Sequence, residues 1–162
     1  MAQSLKISEA ASIAMHALIL LANQPDEPMN NNVIASTFGI SANHSSKVMQ
    51  RLLKQGFVYA KRGPGGGYLL AVKPSSVTLL EVYVAIDGNT EASSCLFGQS
   101  KFCSLTNCLF RKLTQEADAL IEKHLGAVTL ADYANIEFNV TVPITNNREN
   151  NRTQTKQIQR KL

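Results

Sequence analysis

The sequence predicts a mainly α protein carrying one small β-hairpin (α+β). Three observations carry this expectation. Short apolar-periodic stretches alternate with capping residues and glycines, which is how successive helices are punctuated. Only two runs, Phe57–Lys61 and Tyr68–Val72, have strand character, and Gly63-Pro64-Gly65-Gly66-Gly67 lies between them. A long amphipathic stretch, Leu109–Leu125, then stands apart from everything before it.

Residues 7–22 are apolar on nearly every side, as in a helix buried on several faces. Asn23 to Asn32 is a turn-rich linker holding Pro25 and Pro28. Asn32 is expected to cap a helix over Val33–Thr37, because its side-chain oxygen can accept from free backbone N–H groups. Gly39 ends that helix, and Ser41 caps the next, Ala42–Gln55, whose buried stripe is Val48, Met49 and Leu52. Gly56 closes it, and the hairpin follows. Pro74 breaks the chain, and Thr78 caps a helix over Leu79–Ile86. Residues 87–108 are irregular and contain Cys95, Cys103 and Cys108. In the long helix, Leu109, Leu113, Ala117, Leu120 and His124 or Leu125 recur at helical spacing, with Phe110 and Ile121 widening the stripe. A helix of that length outgrows a body this small, and a second copy of the chain is the economical surface to bury it. Gly126 stops it, Thr129 starts a short helix to Ala134, and beyond Val142 the chain is too polar to offset its ordering entropy. The expected division is therefore 1–86, a winged helix-turn-helix; 87–108, a cysteine-bearing sensor loop; 109–141, a dimerisation helix with a short C-terminal helix; and 142–162, a disordered basic tail.

The net charge is +4, but its distribution says more than its sum. Between residues 28 and 80 there is no Asp or Glu, against Lys47, Arg51, Lys54, Lys61, Arg62 and Lys73. Such a stretch is the footprint of a polyanion partner, which a helix–turn–helix within the same stretch narrows to double-stranded DNA. A second basic excess lies in the tail at Arg148, Arg152, Lys156, Arg160 and Lys161. The apolar run Ala10–Ala22 is short for a membrane span, is interrupted by His16, and has no following cleavage site. No membrane association and a cytoplasmic location are expected.

The helix–turn–helix segment Val33–Ser41 followed by Ala42–Gln55 has the chemistry of a recognition element. Ser41, Asn43, His44 and Ser46 supply short polar groups near the helix start, where base edges are met. Lys47, Gln50 and Arg51 lie further along, towards phosphates. In the hairpin, Lys61 and Arg62 precede Gly63, Pro64 and Gly65, so a nearly side-chain-free loop can approach a DNA backbone while arginine enters the minor groove. A nucleotide-binding glycine loop is excluded, because no Gly-Lys-Ser/Thr follows and the next element is a strand. No nucleophile–base pair or other catalytic constellation is present, so no enzymatic activity is expected.

Three blocks together carry a resemblance: Leu5-Lys6-Ile7-Ser8 opening a buried helix, Arg62-Gly63-Pro64-Gly65-Gly66-Gly67-Tyr68-Leu69-Leu70, and Val77-Thr78-Leu79-Leu80-Glu81-Val82. With the three-cysteine loop and long helix, this resembles the Rrf2 family of transcriptional regulators over roughly residues 5–135. The resemblance implies a winged-helix homodimer whose long helices cross between protomers and which binds a palindromic operator, commonly as a repressor. It implies that Asn43, Ser46 and Lys47 touch base edges and that Arg62 enters the minor groove. It also implies that Cys95, Cys103 and Cys108 can hold a [2Fe-2S] or [4Fe-4S] cluster. The histidine often found three residues after the last cysteine is replaced by Arg111. His16, on the first helix, is the plausible fourth ligand there, although such a histidine is more commonly a satisfied buried one. Three alternatives stay open for the cysteines: structural zinc, direct thiol sensing, or no sensing role, the regulator then answering a metabolite or partner protein.

Overall fold

The computed structural model describes residues 7–88 and 110–134. Five helices and one hairpin account for them: α1 (Glu9–Ala22), α2 (Asn31–Thr37), α3 (Ala42–Lys54), β1 (Val58–Lys61), β2 (Gly67–Leu70), α4 (Leu79–Asp87) and α5 (Arg111–Gly126). Short 3-10 turns at Pro74–Ser76 and Leu130–Tyr133 complete the order.

The core is built around α1, against which α3, α4, β2 and the Leu130–Tyr133 turn all pack. Nine of its side chains are buried, from Ala11 to Leu21, as an all-round apolar helix requires. Leu18, Leu20 and Leu21 meet Ile34, Val48, Met49, Leu52, Val58, Val82 and Leu130 in one cluster. Ser8 caps α1 by accepting from the Ala11 N–H. Its own N–H and hydroxyl both donate to the Asp87 carboxylate, which ties the start of α1 to the end of α4.

The α2 cap differs from expectation. Asn30, not Asn32, caps the helix, and its side chain accepts from the Asn32 N–H at 2.8 Å. The reason lies one residue earlier. Met29 exchanges two backbone hydrogen bonds of 2.9 Å with Tyr68, adding a one-residue strand to the hairpin. The chain must leave that pairing at once, so the helix starts sooner.

The hairpin is antiparallel, with Val58 opposite Leu70 and Lys61 opposite Gly67. Gly67 therefore belongs to a strand, not to the loop tip. After it, Thr78 and Glu81 form a reciprocal capping box at the start of α4. At the C-terminal turn the Thr129 N–H and hydroxyl likewise donate to the Asp132 carboxylate, and the Asp132 N–H donates to the Thr129 carbonyl. Hydrogen bonds from the threonine backbone and hydroxyl hold both carboxyls below the usual carboxylate range. Lowered native pKa values stabilise the fold above the ordinary carboxylate range, and that contribution is lost as pH falls through the native values. Glu81→Gln is expected to lower stability at neutral pH while leaving the variant less acid-sensitive than the wild type. Urea denaturation at neutral pH and in the acid range checks both signs.

The return of the chain after α5 closes the core. Leu79 donates to the Val128 carbonyl and Leu130 donates to the Val77 carbonyl, both at 3.0 Å. This seats Leu130 with no exposed surface. The expected helix at Thr129–Ala134 is instead this single 3-10 turn.

Helix α5 packs on α4 through one narrow face. Burial, with the nearby Asp87, Asp118 and Glu122 carboxylates adding to it, pushes the Tyr83 phenol up. Only Thr114 and Ile121 of α5 are buried. The apolar stripe expected from the sequence divides here. Ile121 turns inward, whereas Phe110, Leu113 and Leu120 remain 42, 61 and 54% exposed. Leu109 lies outside the described residues, and so do Cys95, Cys103, Cys108 and the tail. Among the described residues no helix is long and apolar enough to cross a membrane.

Candidate nucleic-acid interface

The turn between α2 and α3 is set by backbone geometry. Gly39 has φ +64°, and Ile40 donates to the Ala35 carbonyl at 3.0 Å while packing against the core. Ser41 then caps α3 by accepting from the His44 N–H at 3.1 Å. The two helices are also joined side chain to backbone. Asn31 Nδ2 donates to the Ala42 carbonyl, and Asn31 Oδ1 accepts from the Ser45 hydroxyl, each at 2.9 Å. Ser45 is wholly buried, so this bond satisfies a polar group that would otherwise be costly. Residue type and spacing do not announce this role of Asn31. Its only signal was a run of three asparagines, Asn30 to Asn32, for which capping needs just one.

Helix α3 buries Ser45, Val48, Met49 and Leu52 and turns the opposite side outward. Ser41, Asn43, Lys47 and Gln50 are exposed there, and His44 and Ser46 are half-buried. Gln50 Nε2 and the Ser46 hydroxyl lie 3.5 Å apart, side by side on that surface. No acidic residue occupies the first turn, so the partial positive charge of the helix start is uncompensated within α3. Arg51 behaves differently from its neighbours. Its guanidinium donates to the Ile86 backbone carbonyl on α4.

In the hairpin, Lys61, Arg62, Gly63, Pro64 and Gly65 are all exposed. Gly63 and Gly65 adopt φ +101° and +73°, conformations that other residues rarely take. Gly66 donates back to the Gly63 carbonyl at 2.9 Å. Gly66 and Gly67 serve close approach: a Cβ would lie 2.3 Å from the Lys61 carbonyl oxygen at Gly66 and 2.4 Å from that of Met29 at Gly67. Left-handed backbone at two of these glycines and close approach at the other two are thus demanded by the hairpin itself, whatever it binds. Lys47, Lys54, Lys61, Arg62 and Lys73 form no ion pair with any described residue.

His16 is exposed on α1, not buried as the more common reading of such a histidine expects. Its Nδ1 lies 2.7 Å from the Ser12 carbonyl, and its ring meets Phe38 edge-on at 6.1 Å. A carbonyl oxygen only accepts, so Nδ1 is the donor in this contact and Nε2 takes no part in it. Among the described residues no group of three or more metal-ligating side chains occurs.

Residues 7–136 match the family model described as Rrf2, iron-dependent transcriptional regulator. The HTH-type transcriptional regulator IscR of Yersinia pestis is 29% identical over 150 residues, 92% of this chain and 91% of that relative. IscR of Serratia proteamaculans is 30% identical over 150 residues, again 92% of this chain and 89% of its own. Among solved structures, IscR of T. potens superposes with a TM-score of 0.60 at 26% identity, over 82% of this chain and 88% of that one. CymR, the global cysteine regulator of B. subtilis, gives 0.63 at 24% identity, over 80 and 96%. The latter likeness bears on the fold alone.

Proposed function

Because the chain belongs to the Rrf2 family of transcriptional regulators, we propose that it binds a palindromic operator as a homodimer and represses the genes behind it. The observation that carries this reading is α3. It buries one apolar face, exposes Asn43, Lys47 and Gln50 on the other, and lies within a stretch that contains no carboxylate. In this reading α3 of each protomer enters a major groove. Ser41, Asn43, His44 and Ser46 meet base edges or nearby phosphates, and Lys47 and Gln50 lie alongside. Lys61, Arg62, Gly63, Pro64 and Gly65 approach the flanking minor groove. A dimer seated there occupies DNA that a polymerase needs, hence repression.

The test is binding of duplex DNA by fluorescence anisotropy across a salt series. About three phosphates neutralised per protomer gives a slope of log K against log salt of roughly −5. A slope near zero would sink the reading. Arg62→Ala is expected to weaken operator binding by about 1–3 kcal/mol if the guanidinium reads a base. Unchanged affinity would remove the hairpin from the interface.

For the sensor, the donor chemistry suits an iron–sulfur cluster held by Cys95, Cys103 and Cys108, with His16 as fourth ligand. Thiolates are soft ligands, and His16 lies on an exposed face with Nδ1, not Nε2, engaged by the Ser12 carbonyl. When bound, such a cluster supplies sensitivity to iron, oxidants or nitric oxide. Visible absorption of anaerobically purified protein, with matching iron and acid-labile sulfide, supports this assignment. Colourless, iron-free protein after attempted reconstitution overturns it and leaves the DNA reading intact.

A further inference from the structure

We propose that Arg51 is a positioning residue that locks the recognition helix to the last turn of α4, so that the aim of α3 follows that turn. The inference rests on the DNA-binding reading above. It begins with the end of α4. The Ile86 carbonyl is among the last four of that helix, which have no partner within it. No basic residue stands in the last turn of α4 to meet the negative end of its dipole, and Asp87 adds a carboxylate there. Both deficits are met from outside. Ser8 of α1 donates twice to Asp87, and Arg51 of α3 donates to the Ile86 carbonyl.

The consequence for α3 is mechanical. Its first turn is held by Asn31 through the Ala42 carbonyl and the Ser45 hydroxyl. Its last turn is held by Arg51 on α4. A helix fixed at both ends to different elements cannot keep its direction if one of those elements shifts. Ile86 is 3% exposed while Arg51 is exposed, so the bond runs from the surface of α3 to the packed end of α4. Gly88, at φ +86°, ends α4 immediately afterwards, and the cysteine-bearing part of the sequence follows it. Any displacement of the α4 end is therefore passed to α3 through Arg51.

The alternative role for Arg51 is a phosphate contact, and the two roles differ in measurable ways. The full chain is used, with an operator obtained by letting the wild type select from a random duplex pool. Arg51→Met keeps the stem and removes the charge. Gly88→Ala disturbs the end of α4 without touching any cation: among the described residues its Cβ would meet nothing within 4 Å, and it is the backbone conformation that resists it. For both variants, operator affinity is expected to fall about ten-fold, with nonspecific duplex affinity held within about two-fold and the salt slope unchanged. The inference is overturned if Arg51→Met loses operator and nonspecific affinity alike and its salt slope shrinks by about two for the dimer, as phosphate contacts require. It is equally overturned if folded Gly88→Ala binds the operator like the wild type, a result that stands even if Arg51→Met does not fold. A wild type that selects no duplex removes the DNA reading itself and this inference with it.

Discussion

Replacing Leu113 and Leu120 together with aspartate is expected to yield a folded monomer that no longer holds its operator. Both side chains project from α5 with more than half of their surface open, so the fold of the protomer does not depend on them. Phe110, Leu113, Ala117, Leu120 and His124 are spaced by three, four, three and four residues, the repeat of a helix that packs along a seam with another helix. In the proposed symmetric dimer the two leucines appear twice, giving four side chains. Completing the burial of each is worth about 1 kcal/mol, roughly half of what full burial of a leucine contributes, so the four together supply ~4 kcal/mol. Four buried carboxylates without partners add a larger penalty. Dimer affinity should fall at least about a thousand-fold, and operator affinity with it, since each half-site is then bound alone. Sedimentation velocity reads the first effect and a mobility shift the second. A variant that still sediments as a dimer would place the interface elsewhere than on this face of α5.

Leu130→Ala is expected to give the largest loss of stability from a single residue beyond α5. Leu130 has no exposed surface, lies in the same cluster as the α1 leucines, and is held there by the backbone bonds joining residues 77–79 to 128–130. Truncating a wholly buried leucine costs about 2–5 kcal/mol, the transfer term plus the cavity left behind. A turn fixed at both sides by backbone hydrogen bonds relaxes little, which favours the upper half of that range. The midpoint of urea unfolding measures it. A shift no larger than that of an exposed control, Tyr133→Ala, would mean that residues 128–133 are an appendage and not part of the core.

The helix-turn-helix was legible because its signals are local: Ser41 as a cap, Gly39 with a left-handed backbone, and an apolar stripe at Val48, Met49 and Leu52. The wing was legible for the same reason, as two short strands around five Gly and Pro residues. The start of α2 was misjudged by two residues, because a distant pairing between Met29 and Tyr68 decides where the chain turns. Of the residues assigned to DNA from the sequence, most do lie exposed, which residue type and helical spacing could foresee. Arg51 shows the limit of that reasoning, since no spacing rule announces that its guanidinium reaches α4.

By itself, then, the sequence determined the fold class, the order of the elements, and a cation-rich recognition segment free of acids. Each follows from propensities, caps and charges that act over a few residues. Only the tertiary structure decided which face of α5 stays open, that Leu130 returns to seal the core, and that α3 is anchored at one end by Asn31 and at the other by α4. Those outcomes depend on which carbonyls and apolar surfaces are left unsatisfied once the helices have packed, and that is known only when distant parts of the chain have met.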